Sequence, residues 1–137
     1  MSDSVFFDTN ILVYAYSVTE PHKQSVARKL ISESISFIST QVLQELTNII
    51  TKKFHFSYEN ATNVVEECCQ NSTLTVNDKS TILAAHRIAE RYNFSFYDSL
   101  IISAALGANC SILYSEDMQH GIVIEKLLKI INPFKTT

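Results

Sequence analysis

The sequence predicts an α/β protein built on a central, mainly parallel sheet of four to five strands. Short, unbroken apolar bursts such as Val5–Phe7 and Ile112–Tyr114 have the character of strands covered on both faces. Between such bursts, apolar residues recur at helical spacing. The two patterns alternate along the whole chain, with no internal repeat, linker or shift in composition to suggest a second unit.

The first strand, Val5–Phe7, runs at once into Asp8, and Ile11 to Tyr16 reads as the start of a helix. Glu20-Pro21 opens another, with proline at the first helical position, where its missing N–H costs nothing. Val26, Ala27, Leu30 and Ile31 form that helix's apolar stripe. Ser36 to Ser39 is the second strand. In the helix from about Thr40 to Lys53, Val42, Leu43, Leu46, Ile49 and Ile50 share a face, with Glu45 on its border. Ser57 opens a helix whose Ala61, Val64, Val65, Cys68 and Cys69 are packing surface. Thr73 to Val76 is a candidate strand. Asp78 to Tyr92 is a helix expected to turn Ile82, Ala85, Ile88 and Ala89 inward and to leave Arg87 and Arg91 on a solvated face. Ser95 and Asp98 have capping-box spacing at the start of a helix that Gly107 stops. Ile112–Tyr114 is the fourth strand, and Ile122–Ile124 with Lys129–Asn132 supplies a last edge strand.

A chain of 137 residues, 46% hydrophobic with two glycines and two prolines, can bury a real core, and its composition excludes disorder. No apolar run approaches the roughly 20 residues that span a bilayer, and MSDSVFF lacks the features of a secretory leader, so a cytoplasmic protein is expected. Three cysteines without CxxC or Cys/His ligand spacing argue against a disulfide frame or a zinc site, and they read as small core residues. The net charge of −3 at first disfavours a polyanionic partner. Setting aside Asp8, Glu45, Asp98 and Asp117, however, 14 acids become 10 against 11 bases, and a divalent cation bound by those four would reverse the local field.

Each of the four acids has an ordinary explanation. Asp8 or Asn10 caps a helix, Glu45 is a solvated border residue, Asp98 reaches back to Ser95, and Asp117 or Ser115 caps a turn. What they share is an address. Asp8 and Asp117 follow strands, Glu45 lies near the start of a helix that follows a strand, and Asp98 stands one turn before Ile101 and Ile102. All can meet at the carboxyl edge of one sheet, where α/β proteins bind ligands. Clustered carboxylates must hold protons or a cation, and an oxygen-only ligand set favours magnesium or manganese.

FFDTNILVYAY, the Glu45 of STQVLQELTNII, FSFYDSLIISAAL and LYSEDMQHG, in that order and at suitable intervals, resemble the motifs of the PIN domain, in particular of VapC-type toxins. The resemblance runs from about Val5 to Phe134 and implies one PIN domain over residues 1–137, folded as an α/β/α sandwich. It implies a Mg²⁺- or Mn²⁺-dependent endoribonuclease, a VapB-like antitoxin partner and a homodimer. Carried over residue by residue, Asp8, Glu45, Asp98 and Asp117 match the family's acidic, metal-binding positions. Asn10 matches the asparagine after the first acid and Ser115 the hydroxyl residue before the last. Glu116 is an additional acid beside the site. A haloacid-dehalogenase-like phosphatase also begins with an apolar strand ending in Asp, but requires a second Asp where this chain has Asn10. A non-catalytic metal-binding interaction module is the third reading. Tyr14, Tyr16 and Tyr97 are candidates to border the crevice, and the four histidines share no ligand spacing.

Overall fold

The computed structural model describes residues 3–135. Strand β1 (Ser4–Phe7) leads into helix α1 (Thr9–Ala15), which is followed by α2 (Pro21–Glu33), β2 (Ile35–Ser39) and α3 (Thr40–Lys52). Then come α4 (Tyr58–Asn71), β3 (Thr73–Thr75), α5 (Lys79–Tyr92), α6 (Phe96–Gly107), β4 (Ile112–Tyr114), β5 (Val123–Ile124) and β6 (Leu128–Ile131). The six strands form one sheet in the order β3-β2-β1-β4-β6-β5. Every pairing is parallel except β5 with β6.

The chain steps outward from β1 to β2 to β3, then returns to place β4 on the other side of β1. Right-handed crossovers put α1 to α4 on one face and α5 with α6 on the opposite face. The packing agrees: α1 lies against α2 and α3, α3 against α4, and α5 against α6. The point where the strand order reverses lies between β1 and β4, and there a parallel sheet opens its ligand crevice.

Why these residues build this frame follows from burial. Val5, Phe6 and Phe7 are buried because β1 has neighbours on both edges and helices on both faces. Phe6, Ile11, Ile38, Leu46, Ile50, Ile102 and Leu113 belong to the single continuous core. Helix α3 turns Val42, Leu46 and Ile50 inward, and Ser39 caps it by accepting from the Val42 N–H at 3.4 Å. Helix α6 is different: Ser99 to Ala105 are all buried, so it is enclosed on every side and lies between the sheet and α5.

The sheet holds six strands rather than four or five, because the expected single edge strand is a hairpin. Its turn is closed by the Leu127 N–H donating to the Ile124 carbonyl at 3.0 Å, with Glu125 and Lys126 both at positive φ. That backbone is usually built with Asn-Gly. Here it is held from outside: the Tyr92 hydroxyl accepts from the Glu125 N–H at 2.9 Å, and the Glu125 carboxylate pairs with Arg91 at 3.0 Å.

Two packing expectations are corrected. Ile82 is 37% exposed, because Ala85 and Ile88 define the buried stripe of α5 and Ile82 lies roughly 90° round from their mean direction. Cys69 is exposed while Cys68 and Cys110 are buried, since only Cys68 continues the Ala61–Val64 stripe of α4.

Candidate active site

Four elements deliver one carboxylate each to a single cleft at the carboxyl edge of the sheet. Asp8 is the residue after β1 and the N-cap of α1, where its Oδ1 accepts from the Thr9 N–H at 2.7 Å. Glu45 comes from the second turn of α3. Asp98 sits in the first turn of α6, whose cap is Ser95; the Ser95 Oγ accepts from the Asp98 N–H at 3.2 Å. Asp117 lies in the bend after β4. With Thr9, Asn10, Asn48 and Ile49, these four line a cleft of about 330 Å³.

Neutral donors hold three of the acids in place. The Ser115 hydroxyl, fully buried, donates to Asp8 Oδ2 at 2.8 Å, and its oxygen accepts from the Met118 N–H at 3.3 Å. It thus ties the end of β4 to the end of β1. The Asn10 amide donates to Asp117 Oδ2 at 2.8 Å. Both oxygens of Glu45 are engaged, Oε1 by the Thr9 hydroxyl at 2.5 Å and Oε2 by the Gln41 amide at 3.2 Å. Among the described residues the ion pairs are Lys23–Glu116 and Arg91–Glu125, and neither touches the four cleft acids.

The charge of the cleft is therefore uncompensated by any lysine or arginine pairing, and it shows in the titration of its floor. Burial pushes Asp8 up to about 6; the bonds from Ser115 and Thr9 pull the other way, and the neighbouring charges of Glu45 and Asp98 push it further up. Asp98 is raised as well, by burial first and then by Asp117 and Glu45, with Ser95 opposing. Carboxylates held above their ordinary range by burial and by one another favour a cation.

Among the described residues no three acids are gathered tightly enough to enclose an ion on their own. The arrangement suits magnesium in another way, since that ion keeps several waters and takes only one or two carboxylates directly. A polar cleft with four carboxylates around it fits a partly hydrated ion.

The structure brings together Asp8, Glu45, Asp98, Asp117 and Asn10 in the lining, with Ser115 immediately beneath. Glu116 goes elsewhere. Its Oε2 takes the Lys23 ammonium at 2.6 Å and its Oε1 the Tyr14 hydroxyl at 2.6 Å, with Lys23 also 4.7 Å from the centre of the Tyr14 ring. Burial would raise Glu116, but the bonds from Lys23 and Tyr14 and the lysine charge outweigh it and hold this carboxyl low. Glu116 thus anchors the segment that carries Asp117 and does not line the cleft.

Tyr14 is absorbed by the same anchor, and Tyr16 bonds Glu67 in a separate groove of about 560 Å³ between α1, α2 and α4. That groove is larger, but its one carboxylate is tied to a tyrosine, so the acidic chemistry belongs to the smaller cleft. Tyr97 is 65% exposed beside Asp98. His120 is a loop residue whose Nδ1 accepts from the Asn132 N–H at 3.0 Å. Thr9, Gln41 and Asn48 escaped the sequence reading. Gln41 and Asn48 stand four residues before and three after Glu45, on its side of α3, so helical spacing from that one acid would have found both.

An α/β sheet with a carboxylate-lined crevice at its switch point defines the class, and the chain belongs to the PIN domain family, whose model matches residues 5–122. Solved structures share the fold. A toxin–antitoxin complex from Klebsiella pneumoniae superimposes with a TM-score of 0.72 at 16% identity, covering 96% of this chain and 99% of that one. VapC20 of Mycobacterium tuberculosis, described as a toxin that cleaves the sarcin–ricin loop, gives 0.68 at 13% identity over 82% of this chain and 89% of its own. VapBC2 of Rickettsia felis bound to a promoter DNA fragment gives 0.62 at 18% over 93% and 98%. Comparison with curated proteins gave no significant match. Among the described residues no helix is long and apolar enough to cross a membrane.

Proposed function

We propose that this protein is a Mg²⁺- or Mn²⁺-dependent endoribonuclease, the toxin of a type II toxin–antitoxin pair, acting in the cytoplasm, with residues 1–137 forming one PIN domain. The observation that carries the reading is the convergence of Asp8, Glu45, Asp98 and Asp117, from four elements, on one cleft where, among the described residues, no lysine or arginine pairs with them. Membership of the PIN family supports a nuclease, and fold neighbours that are toxin–antitoxin complexes support an antitoxin partner. The homodimer rests on the family resemblance alone.

In this reading Asp8, Asp98 and Asp117 would hold the ion, directly or through water, and Glu45 would hold a second ion or orient the attacking water. A bound divalent ion lowers the pKa of water and stabilises charge on the phosphoryl oxygens. The chain's own part is preorganisation. Ser115 and the Thr9 N–H fix Asp8, and Asn10 fixes Asp117. Thr9 and Gln41 together fix the carboxylate plane of Glu45. In-line attack of water on phosphorus breaks the bond to the 3′ oxygen, leaving a 5′-phosphate and a 3′-hydroxyl.

Purified protein should cleave RNA with magnesium and stop in EDTA. Asp8→Asn and Asp98→Asn should each lower the rate by more than about 100-fold, beyond the usual effect of losing an outer-shell partner, with the fold intact. Full activity in EDTA, or in both variants, would end the reading. A stable aspartyl-phosphate on Asp8 would favour the phosphatase instead. Magnesium binding without cleavage of any RNA would favour the interaction module.

A further inference from the structure

Gln41 is buried, 7% exposed as a residue, and its side chain is bonded on one end only. Its Nε2 donates to Glu45 Oε2 on its own helix and to the Tyr97 carbonyl of α6, both at 3.2 Å. Its Oε1 is buried without a hydrogen-bond partner. The amide cannot be reversed without cost. A reversed amide would set its oxygen against a carboxylate and a carbonyl, three acceptors facing one another, and that arrangement is repulsive. One NH₂ group is therefore shared between the acid of α3 and the peptide unit that precedes Asp98.

From this geometry we infer that Gln41 is a positioning residue that sets the separation and orientation of Glu45 and Asp98, fixing the two walls of the acidic cleft relative to each other. Thr9 alone cannot do this, because its hydroxyl fixes Glu45 to β1 and α1 and makes no bond to α6. Gln41 directly links the Glu45 carboxylate to the peptide unit that leads into Asp98. The unpartnered Oε1 is a cost in the folded state. A residue kept for stability would not carry it, and a nonpolar side chain of the same volume would remove it while losing the two bonds from Nε2. The inference rests on the nuclease reading for its effect on rate, but not for its effect on metal binding.

The test compares wild type, Gln41→Leu and Gln41→Glu by thermal unfolding, by calorimetric titration with MnCl₂, and by cleavage of a single-stranded RNA. Gln41→Leu should melt within a few degrees of wild type, bind manganese about tenfold more weakly and lose about tenfold in kcat with little change in KM, the scale of an outer-shell partner. Gln41→Glu should melt below Gln41→Leu and lose at least as much in kcat, since it places a further carboxyl beside Glu45 and removes the NH₂ that Glu45 and the Tyr97 carbonyl share. In an Glu45→Ala background, Gln41→Leu should add nothing to the loss of rate. Manganese affinity and rate equal to wild type in Gln41→Leu, or a fall in melting temperature large enough to account for the loss, would overturn the inference while leaving the nuclease reading intact. A wild type that binds no manganese and cleaves no RNA would overturn both.

Discussion

Replacing Asp8 by asparagine should make the protein more stable at neutral pH while abolishing its activity. Asp8 titrates at about 6 in the fold, against an ordinary value of 3.8, with burial as the leading cause. A group whose folded pKa is raised is best accommodated in its protonated form. The penalty for folding with it ionised is absent below the unfolded value of 3.8 and complete once the pH has risen through about 6. Worked through the linkage relation, ionised Asp8 costs about 1 kcal/mol at pH 4.5 and about 3 kcal/mol at pH 8. Asparagine keeps an oxygen for the Thr9 N–H but presents an NH₂ where Ser115 now donates, a loss of about 1 kcal/mol. Urea unfolding in EDTA should then show Asp8→Asn gaining about 2 kcal/mol at pH 8 and close to nothing at pH 4.5. The gain at pH 8 should shrink on adding magnesium, which stabilises only the wild type by binding its native state. A variant less stable than wild type at pH 8, or a gain independent of pH, would refute the electrostatic account of the cleft.

The Lys23–Glu116 pair anchors the segment that carries Asp117. Glu116→Gln should therefore lower stability by about 1 kcal/mol in chemical denaturation. It should cut RNA cleavage by about tenfold, far less than loss of a cleft acid. Ser95→Ala removes the cap that starts α6 one turn before Ile101, so it should cost about 1 kcal/mol and speed amide exchange at residues 96–99. Asp117→Asn should reduce cleavage less than Asp98→Asn, because Asp117 is exposed and already shares an oxygen with Asn10.

Much of this architecture could be read from the chain because it is written in periodicity. Val5–Phe7 could only be a central strand, and the stripe of α3 placed Glu45 at the edge of the core without knowledge of its neighbours. Asp98 stands one turn before Ile101 and Ile102, but that spacing does not single out a face of α6, since Ser99 to Ala105 are buried all round; the first turn of α6 is where a side chain can leave the core. The β5–β6 hairpin was hidden because Glu125 and Lys126 adopt a backbone that sequence assigns to Asn and Gly, and Tyr92 and Arg91 compensate from a distant helix. Glu116 shows the remaining difficulty. It is adjacent in sequence to Asp117 and chemically alike, yet its fate was decided by Lys23, 93 residues away. Local spacing carries no trace of such a partner.

Soaking crystals of the protein in MnCl₂ and measuring anomalous diffraction at neutral pH probes the central claim most directly. A manganese peak inside the cleft bounded by Asp8, Glu45, Asp98 and Asp117, absent from crystals of Asp98→Asn treated alike, is the predicted result. Manganese found only outside that cleft, or a peak there undiminished in Asp98→Asn, would contradict it.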